Sequence, residues 1–172
     1  VYVMKGAQVG FTEMGNNWVG YVIDHVPGPM LSVMPREEDA KKNSKIRISP
    51  MIEASERLRL RVKDAKSRDS GNTILQKDFP NGVLYMAGAN SAAGLRSMPV
   101  RYLFLDECDE YPGDLEGQGD PIQLAKKRTS TFSSKKKIFM PSTPTIEGRS
   151  RIESAYNLTN KKRYFVPCPK CG

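Results

Sequence analysis

The chain has 172 residues, enough for one domain with one sizeable core. Lys and Arg exceed Asp and Glu by 27 to 19, a net charge of +8 with a pI near 9.4, which suits a polyanionic partner, nucleotide or nucleic acid alike. No run approaches the roughly 18 apolar residues of a membrane helix, no charged-then-apolar leader opens the chain, and three cysteines form no disulfide framework, so the reading is a chain without a membrane partner, in a reducing cytosol.

Val1 to Met4 reads as a short strand running into Lys5-Gly-Ala-Gln-Val-Gly-Phe-Thr12. Against the phosphate-loop template G-x-x-x-x-G-K-[ST], Gly10 and Thr12 fall in place while Phe11 stands where the lysine belongs. A lysine stands at Lys5 instead, on the template's first glycine, from where its long side chain reaches the same phosphate oxygens from the other side. The stretch reads as a deviant phosphate loop. The backbone N–H groups of Gly6, Ala7, Gln8, Val9, Gly10 and Phe11 and the start of the next helix would cradle the phosphates, with Thr12 completing a Mg²⁺ shell. An ordinary glycine-bearing turn between strand and helix fits the same letters.

A helix is expected from Thr12 to His25, with Met14, Trp18, Tyr21, Val22 and His25 on one broad face, and Pro27-Gly-Pro29 stops it. Met30 to Met34 is a second apolar strand, and the acids of Arg36-Glu-Glu-Asp39 suit a helix N-terminus. These elements make a unit of the parallel-sheet kind. Ser49-Pro50 reads as the cap and first residue of a helix over Met51 to Val62. Arg57, Arg59, Arg61 and Lys63 there form either a solvated face or a contact for DNA phosphates. After a loop over Ser67 to Asn72, Thr73 to Phe79 and Val83 to Met86 read as a hairpin around Pro80-Asn-Gly82. Gly88 to Arg96 reads as a loop of small residues.

Tyr102 to Leu105 is a continuous apolar run, expected as a strand buried on both faces. It ends in Asp106 and Glu107, at the strand end where open α/β sheets bind ligands. Adjacent strand residues point oppositely, so the two carboxylates can divide the work. Asp106 would hold hydrated Mg²⁺ and Glu107 would activate water against a γ-phosphate. A strand running into an acidic loop shows the same pattern. Asp109 to Gly119 is a loop, Asp120-Pro121 opens a helix through Thr131, and Lys136 to Met140 is a strand delivering Ser142 and Thr143. Hydroxyls there suit a sensor of the γ-phosphate, since they donate before hydrolysis and release afterwards. Arg149 to Thr159 reads as a helix and Tyr164 to Val166 as a final edge strand.

Taken together, Lys5-to-Glu13, Gly88-to-Arg96, Arg101-to-Glu107, Gly119-Asp-Pro121, Ser142-to-Thr145 and Val166-to-Gly172 resemble the ATPase module of tailed-phage large terminase subunits, with the lambda-type group the nearest likeness. A lysine at the front of the phosphate loop is a habit of that family. The resemblance implies an α/β P-loop fold of the additional-strand type, mostly parallel with an added hairpin, in which the strand ending at Ser142-Thr143 lies between the Lys5 and Asp106 strands. It implies ATP and Mg²⁺ as ligands, with Lys5 and Glu107 catalytic, residues 5–12 on ATP, Thr12 and Asp106 on the metal, and Ser142 and Thr143 coupling phosphate state to motion. It also implies a ring motor in the host cytoplasm that moves double-stranded DNA into a prohead beside a small terminase subunit and portal. On this reading 1–172 is a single motor domain excised from a longer protein that also carries an adenine-contacting segment and a nuclease.

Many family members carry an arginine where this chain has Gln8. The positive charge would then come from Arg96, Arg101 or Arg128 of a neighbouring subunit, an arrangement worth roughly 10³ to 10⁵ in rate. Residues 162–172 would start a zinc-knuckle linker, and Cys168 and Cys171 supply half of a tetrahedral site, so zinc is not expected in this stretch alone. Two other readings of the residues stand beside this one: a helicase-type translocase, which normally keeps lysine beside the Thr12 position, and a basic nucleic-acid-binding module without hydrolysis.

Overall fold

The computed structural model describes residues 1–62, 71–96 and 98–171. Six strands make one mostly parallel sheet: β1 (Tyr2–Met4), β2 (Met30–Met34), β3 (Gln76–Phe79), β4 (Gly82–Gly88), β5 (Tyr102–Leu105) and β6 (Lys137–Ser142), in the spatial order β1-β6-β5-β2-β4-β3. Among the described residues only the β3–β4 hairpin is antiparallel, turning at Asn81 with φ 62°. The order places β6 between β1 and β5, the additional-strand arrangement.

β5 shows why the sheet is central. Tyr102 and Phe104 enter one apolar cluster and Leu103 and Leu105 the other, so the strand is buried on both faces, as its unbroken apolar run requires. On the Phe104 face lie α1 (Phe11–Asp24), α2 (Glu37–Asn43), α3 (Ser49–Ala54) and α4 (Glu56–Arg61). On the Leu103 face lie α5 (Ala92–Arg96), α6 (Pro121–Lys127) and α7 (Arg151–Asn157).

α1 is rotated from the expected face. Gly15, Asn16, Val19, Val22 and Ile23 are buried, while Met14 and Tyr21 are half exposed. The cause is Gly15, where an added Cβ would lie 2.0 Å from Phe104, so the helix descends directly onto that ring. Its larger residues are turned aside to line an open cavity of about 580 Å³ with Tyr102, Ile138 and Phe139.

The single helix expected over Met51 to Val62 is two, broken at Ser55, which is extended and accepts from the Leu58 N–H at 3.4 Å. Ser49 is already helical and is not the N-cap of α3, while Pro50 falls in the first turn of α3, as expected. Having no N–H to give, it follows a widened π turn over Ser44–Ile48. Arg57 and Arg61 share the one carboxylate of Asp24, each at 2.8 Å, while Arg59 between them is exposed. Lys63 and most of the loop expected over 67–72 lie outside the described residues.

The loop expected over Gly88 to Arg96 contains α5, because Leu95 is fully buried and Ser91 Oγ accepts from the Gly94 N–H at 3.2 Å. The helix expected through Thr131 ends at Lys127 and resumes as a 3₁₀ turn over Ser130–Phe132. Tyr164 to Val166 is no strand, and its side chains are exposed. Three residues with nothing to pack against gain too little from extension alone.

Candidate active site

Three parallel strands, β1, β6 and β5, end at one edge of the sheet and each delivers chemistry there. Short bonds hold their tips in register: Lys5 N–H donates to Ser142 O at 3.1 Å, Glu107 N–H to Pro141 O at 3.0 Å and Asp106 N–H to Val33 O at 3.0 Å. After β1 the chain turns through Gln8 (φ 55°) and Gly10 (φ 83°) into α1. Gly10 suits this left-handed position, and having no side chain it caps none of the first N–H groups of α1. A helix of 14 residues thus opens onto solvent with free donors and a positive dipole end, the usual setting for an anion.

The Lys5 ammonium, with a side chain only 5 % exposed, forms an ion pair with Glu107 Oε1 and donates to Thr143 Oγ1 at 3.0 Å. Two of its three N–H donors are so engaged. Glu107 Oε2 accepts from the Thr143 N–H at 2.9 Å and lies 3.5 Å from Ser142 Oγ. Its backbone is left-handed, φ 49° and ψ 53°, a conformation uncommon for a non-glycine residue that here turns its carboxylate toward β6.

Asp106 points to the other face, where Thr12 Oγ1 donates to its Oδ2 at 2.7 Å. The two adjacent acids therefore do diverge. Asp106 is 3 % exposed, and its second oxygen, Oδ1, is buried with no hydrogen-bond donor. Burial raises its pKa to about 6, with the Glu107 charge adding to the rise and the Thr12 hydroxyl and Lys5 opposing it. A buried carboxylate oxygen without a donor beside a threonine hydroxyl fits a hard cation. Among the described residues no three or more His, Cys, Asp or Glu gather as a cage, so Mg²⁺ here would take two protein oxygens and complete its shell with water and phosphate.

The structure thus brings together Lys5, Thr12, Asp106, Glu107, Ser142 and Thr143. It does not bring Arg96, Arg101 or Arg128 to this cluster. Arg101 precedes β5 and Asp106 follows it, the length of the strand away, and Arg128 Nη1 donates to Arg96 O at 3.3 Å on the same far side. Cys168 and Cys171 are exposed beyond α7, and Cys108 is fully buried, its thiol pushed up to about 12 chiefly by burial.

One residue beside the cluster escaped the sequence reading. Asp109 accepts from the N–H and hydroxyl of Thr145 at 3.0 and 3.2 Å and from the Ile152 N–H at 2.8 Å, while its own N–H donates to Ser142 Oγ at 3.1 Å. Burial favours its neutral form, but hydrogen bonds from Ser150, Ile152 and Thr145 outweigh that and hold it below the usual carboxylate range. It ties the acid strand, the hydroxyl turn and the start of α7 together. Nothing in a run of acids after a strand marks one of them for that work.

The profile of the family described as "Phage terminase large subunit gpA, ATPase domain" matches residues 1–172. The large terminase subunits of Enterobacteria phage P21 and Escherichia phage lambda are each 30 % identical to the chain over 174 residues. Each match takes in 100 % of this chain and 27 % of the relative, so the chain spans about a quarter of the length of these curated relatives. Among solved structures, the large terminase of a thermophilic bacteriophage in complex with ADP superposes with a TM-score of 0.54 at 18 % identity, covering 83 % of this chain and 33 % of that one. That likeness establishes a common fold.

Proposed function

Because the chain belongs to the phage terminase large subunit gpA ATPase-domain family, we propose that it hydrolyses ATP with Mg²⁺ and drives double-stranded DNA into a viral prohead. The observation that carries the reading is the convergence of Lys5, Thr12, Asp106, Glu107 and Thr143 at one strand edge beside an uncapped helix N-terminus. That the thermophilic-phage terminase was solved in complex with ADP supports a nucleotide ligand.

In this mechanism the N–H groups of residues 6–12 bind the phosphates, and the Lys5 ammonium gives its remaining donor to the β- and γ-oxygens. Thr12 Oγ1 and Asp106 would hold Mg²⁺, which when bound neutralises charge developing on those oxygens. Glu107 Oε2, turned toward β6, orients a water in line with the γ-phosphorus and takes its proton. The water oxygen forms the new P–O bond, the bond to the β-phosphate oxygen breaks, and ADP and phosphate leave. Thr143 contacts both Lys5 and Glu107, so Ser142 and Thr143 would sense whether a γ-phosphate is present. Since none of Arg96, Arg101 and Arg128 stands in the cluster, a cation from a second copy would complete the site in a ring, with the small terminase subunit and portal as further partners and the host cytoplasm as the place of action.

Glu107→Gln tests the assignment. Nucleotide affinity, read by titration, is expected within a few-fold of the parent, while steady-state phosphate release falls by at least roughly a hundredfold. Undiminished turnover would remove Glu107 from the chemistry. DNA binding with no nucleotide affinity in the parent would leave a basic nucleic-acid-binding module.

A further inference from the structure

Charge along the chain separates in an unusual way. Residues 106–120 contain seven Asp or Glu and no Lys or Arg, whereas residues 121–137 contain six Lys or Arg and no Asp or Glu. The fold sends these runs to opposite ends of the sheet. The acids leave the C-terminal tip of β5, while the cations collect where β5 and β6 begin.

Contacts between neighbouring segments join those cations into one patch. Arg101, just before β5, donates from Nε to Lys135 O at 3.4 Å, and Lys137 is the register partner of Tyr102. Lys126 Nζ lies 5.0 Å over the Tyr2 ring, and Val100 N–H donates to Arg128 O at 3.0 Å. Lys127, Lys135, Lys136 and Lys137 are exposed, as are Thr131, Ser133 and Ser134 in the turn between them. No cation of the patch pairs with a carboxylate among the described residues, in contrast to Arg57 and Arg61 on Asp24 or Lys41 on Glu37.

The dipole of α6 explains Lys126 and Lys127 in its last turn. It does not explain Lys135 to Lys137 or Arg101, which stand at strand starts. Like charges gathered at this density repel one another, so an unpaired cluster of them is a cost to the free chain that a polyanion relieves. Seated among exposed hydroxyls, which donate neutral hydrogen bonds to phosphate oxygens, the cluster has the donor chemistry of a phosphate-backbone contact.

We infer that this end of the sheet, opposite the strand tips that carry Asp106 and Glu107, is a docking face for the phosphate backbone of duplex DNA, read without regard to base sequence. The inference rests on the motor reading only in its choice of duplex DNA as the polyanion. The acidic run of a second copy is the competing occupant. It is less suited, because Asp106, Glu107, Asp109, Asp114 and Asp120 each already accept internal hydrogen bonds.

The test compares two double variants of the chain with equal change in net charge: Lys135→Glu with Lys136→Glu on the face, and Lys42→Glu with Lys45→Glu away from it. Binding to a duplex of random sequence, about three helical turns long, is measured by fluorescence anisotropy across a salt series, with circular dichroism melts as the check on folding. The face variant is expected to lose at least roughly tenfold in affinity near 0.1 M salt, and the slope of log K against log salt should fall by about 0.9 for each phosphate that is no longer neutralised. The control variant should keep the parent slope. Equal losses in both variants, or none on the face, would overturn the inference. So would a face variant that keeps its DNA affinity and loses self-association in ultracentrifugation, which would give the face to a second copy. ATP hydrolysis without DNA is read in parallel. Nucleotide affinity is titrated beside it, and its absence in the parent would remove the motor reading and leave the DNA result standing.

Discussion

Asp106 carries the clearest conflict between stability and chemistry. Its pKa in the folded chain, about 6, lies above the ordinary carboxylate value, so the folded state holds the proton longer than the unfolded one. The stabilisation from the protonated form is fully present below about pH 4 and is lost as pH rises through about 6, with a span on the order of 2 to 3 kcal/mol. Asp106→Asn keeps the shape and removes the charge. Its urea midpoint should exceed the parent's at neutral pH and match it below about pH 4, and a constant gap across that range would contradict the assignment. Under the proposed function that cost has a return, because an ionised, donor-poor oxygen is what a divalent ion would need. Such residues were legible as letters: an acid pair after an apolar run, and a lysine and threonine flanking a glycine turn. The left-handed backbone that aims Glu107 and the three-way grip of Asp109 were not legible, since both arise from contacts between segments far apart in the chain.

At the scale of elements, α1 shows how close packing sets the geometry of the turn that precedes it. A methyl at Gly15 would drive into the fully buried ring of Phe104, whereas one at Gly20 would meet only the flexible end of Met51 at 3.4 Å. Gly15→Ala should therefore cost about 1 to 3 kcal/mol through overpacking, while Gly20→Ala should be neutral or gain up to about 1 kcal/mol from helix propensity. Denaturant titration of the pair decides it, and equal effects at the two glycines would mean that α1 does not rest on Phe104. The same contact explains why spacing alone misjudged the helix. Periodicity located the element but weighed Met14 and Tyr21 above two glycines, and only the approach to β5 reveals that small residues face inward. β5, an unbroken apolar run, and β2, apolar except for Ser32, were readable because burial on both faces leaves little alternative. The segment over Tyr164 to Val166 had strand-forming letters and no partner, and pairing is what makes a strand.

For the molecule as a whole, a ligand that binds only the folded state must raise its melting temperature. At about a hundred times its dissociation constant, Mg·ADP should add roughly 2.7 kcal/mol, or about 5 to 10 °C for a chain of this size. A scan with nucleotide alone, with Mg²⁺ alone and with both should show the largest rise for the pair, and no rise at any concentration would sink the nucleotide site. The sheet's two ends also differ in what they can attract. Acidic side chains crowd the mouth where the triphosphate would enter, so entry there would depend on the few buried donors and on a bound cation, while the opposite pole is cationic. If the chain acts as proposed, fuel and cargo are both polyanions, and a body polarised in this way would keep them from competing for one berth: a long duplex drifting near would be turned toward the lysine-rich pole, and the chemistry would fire on the side facing away from it.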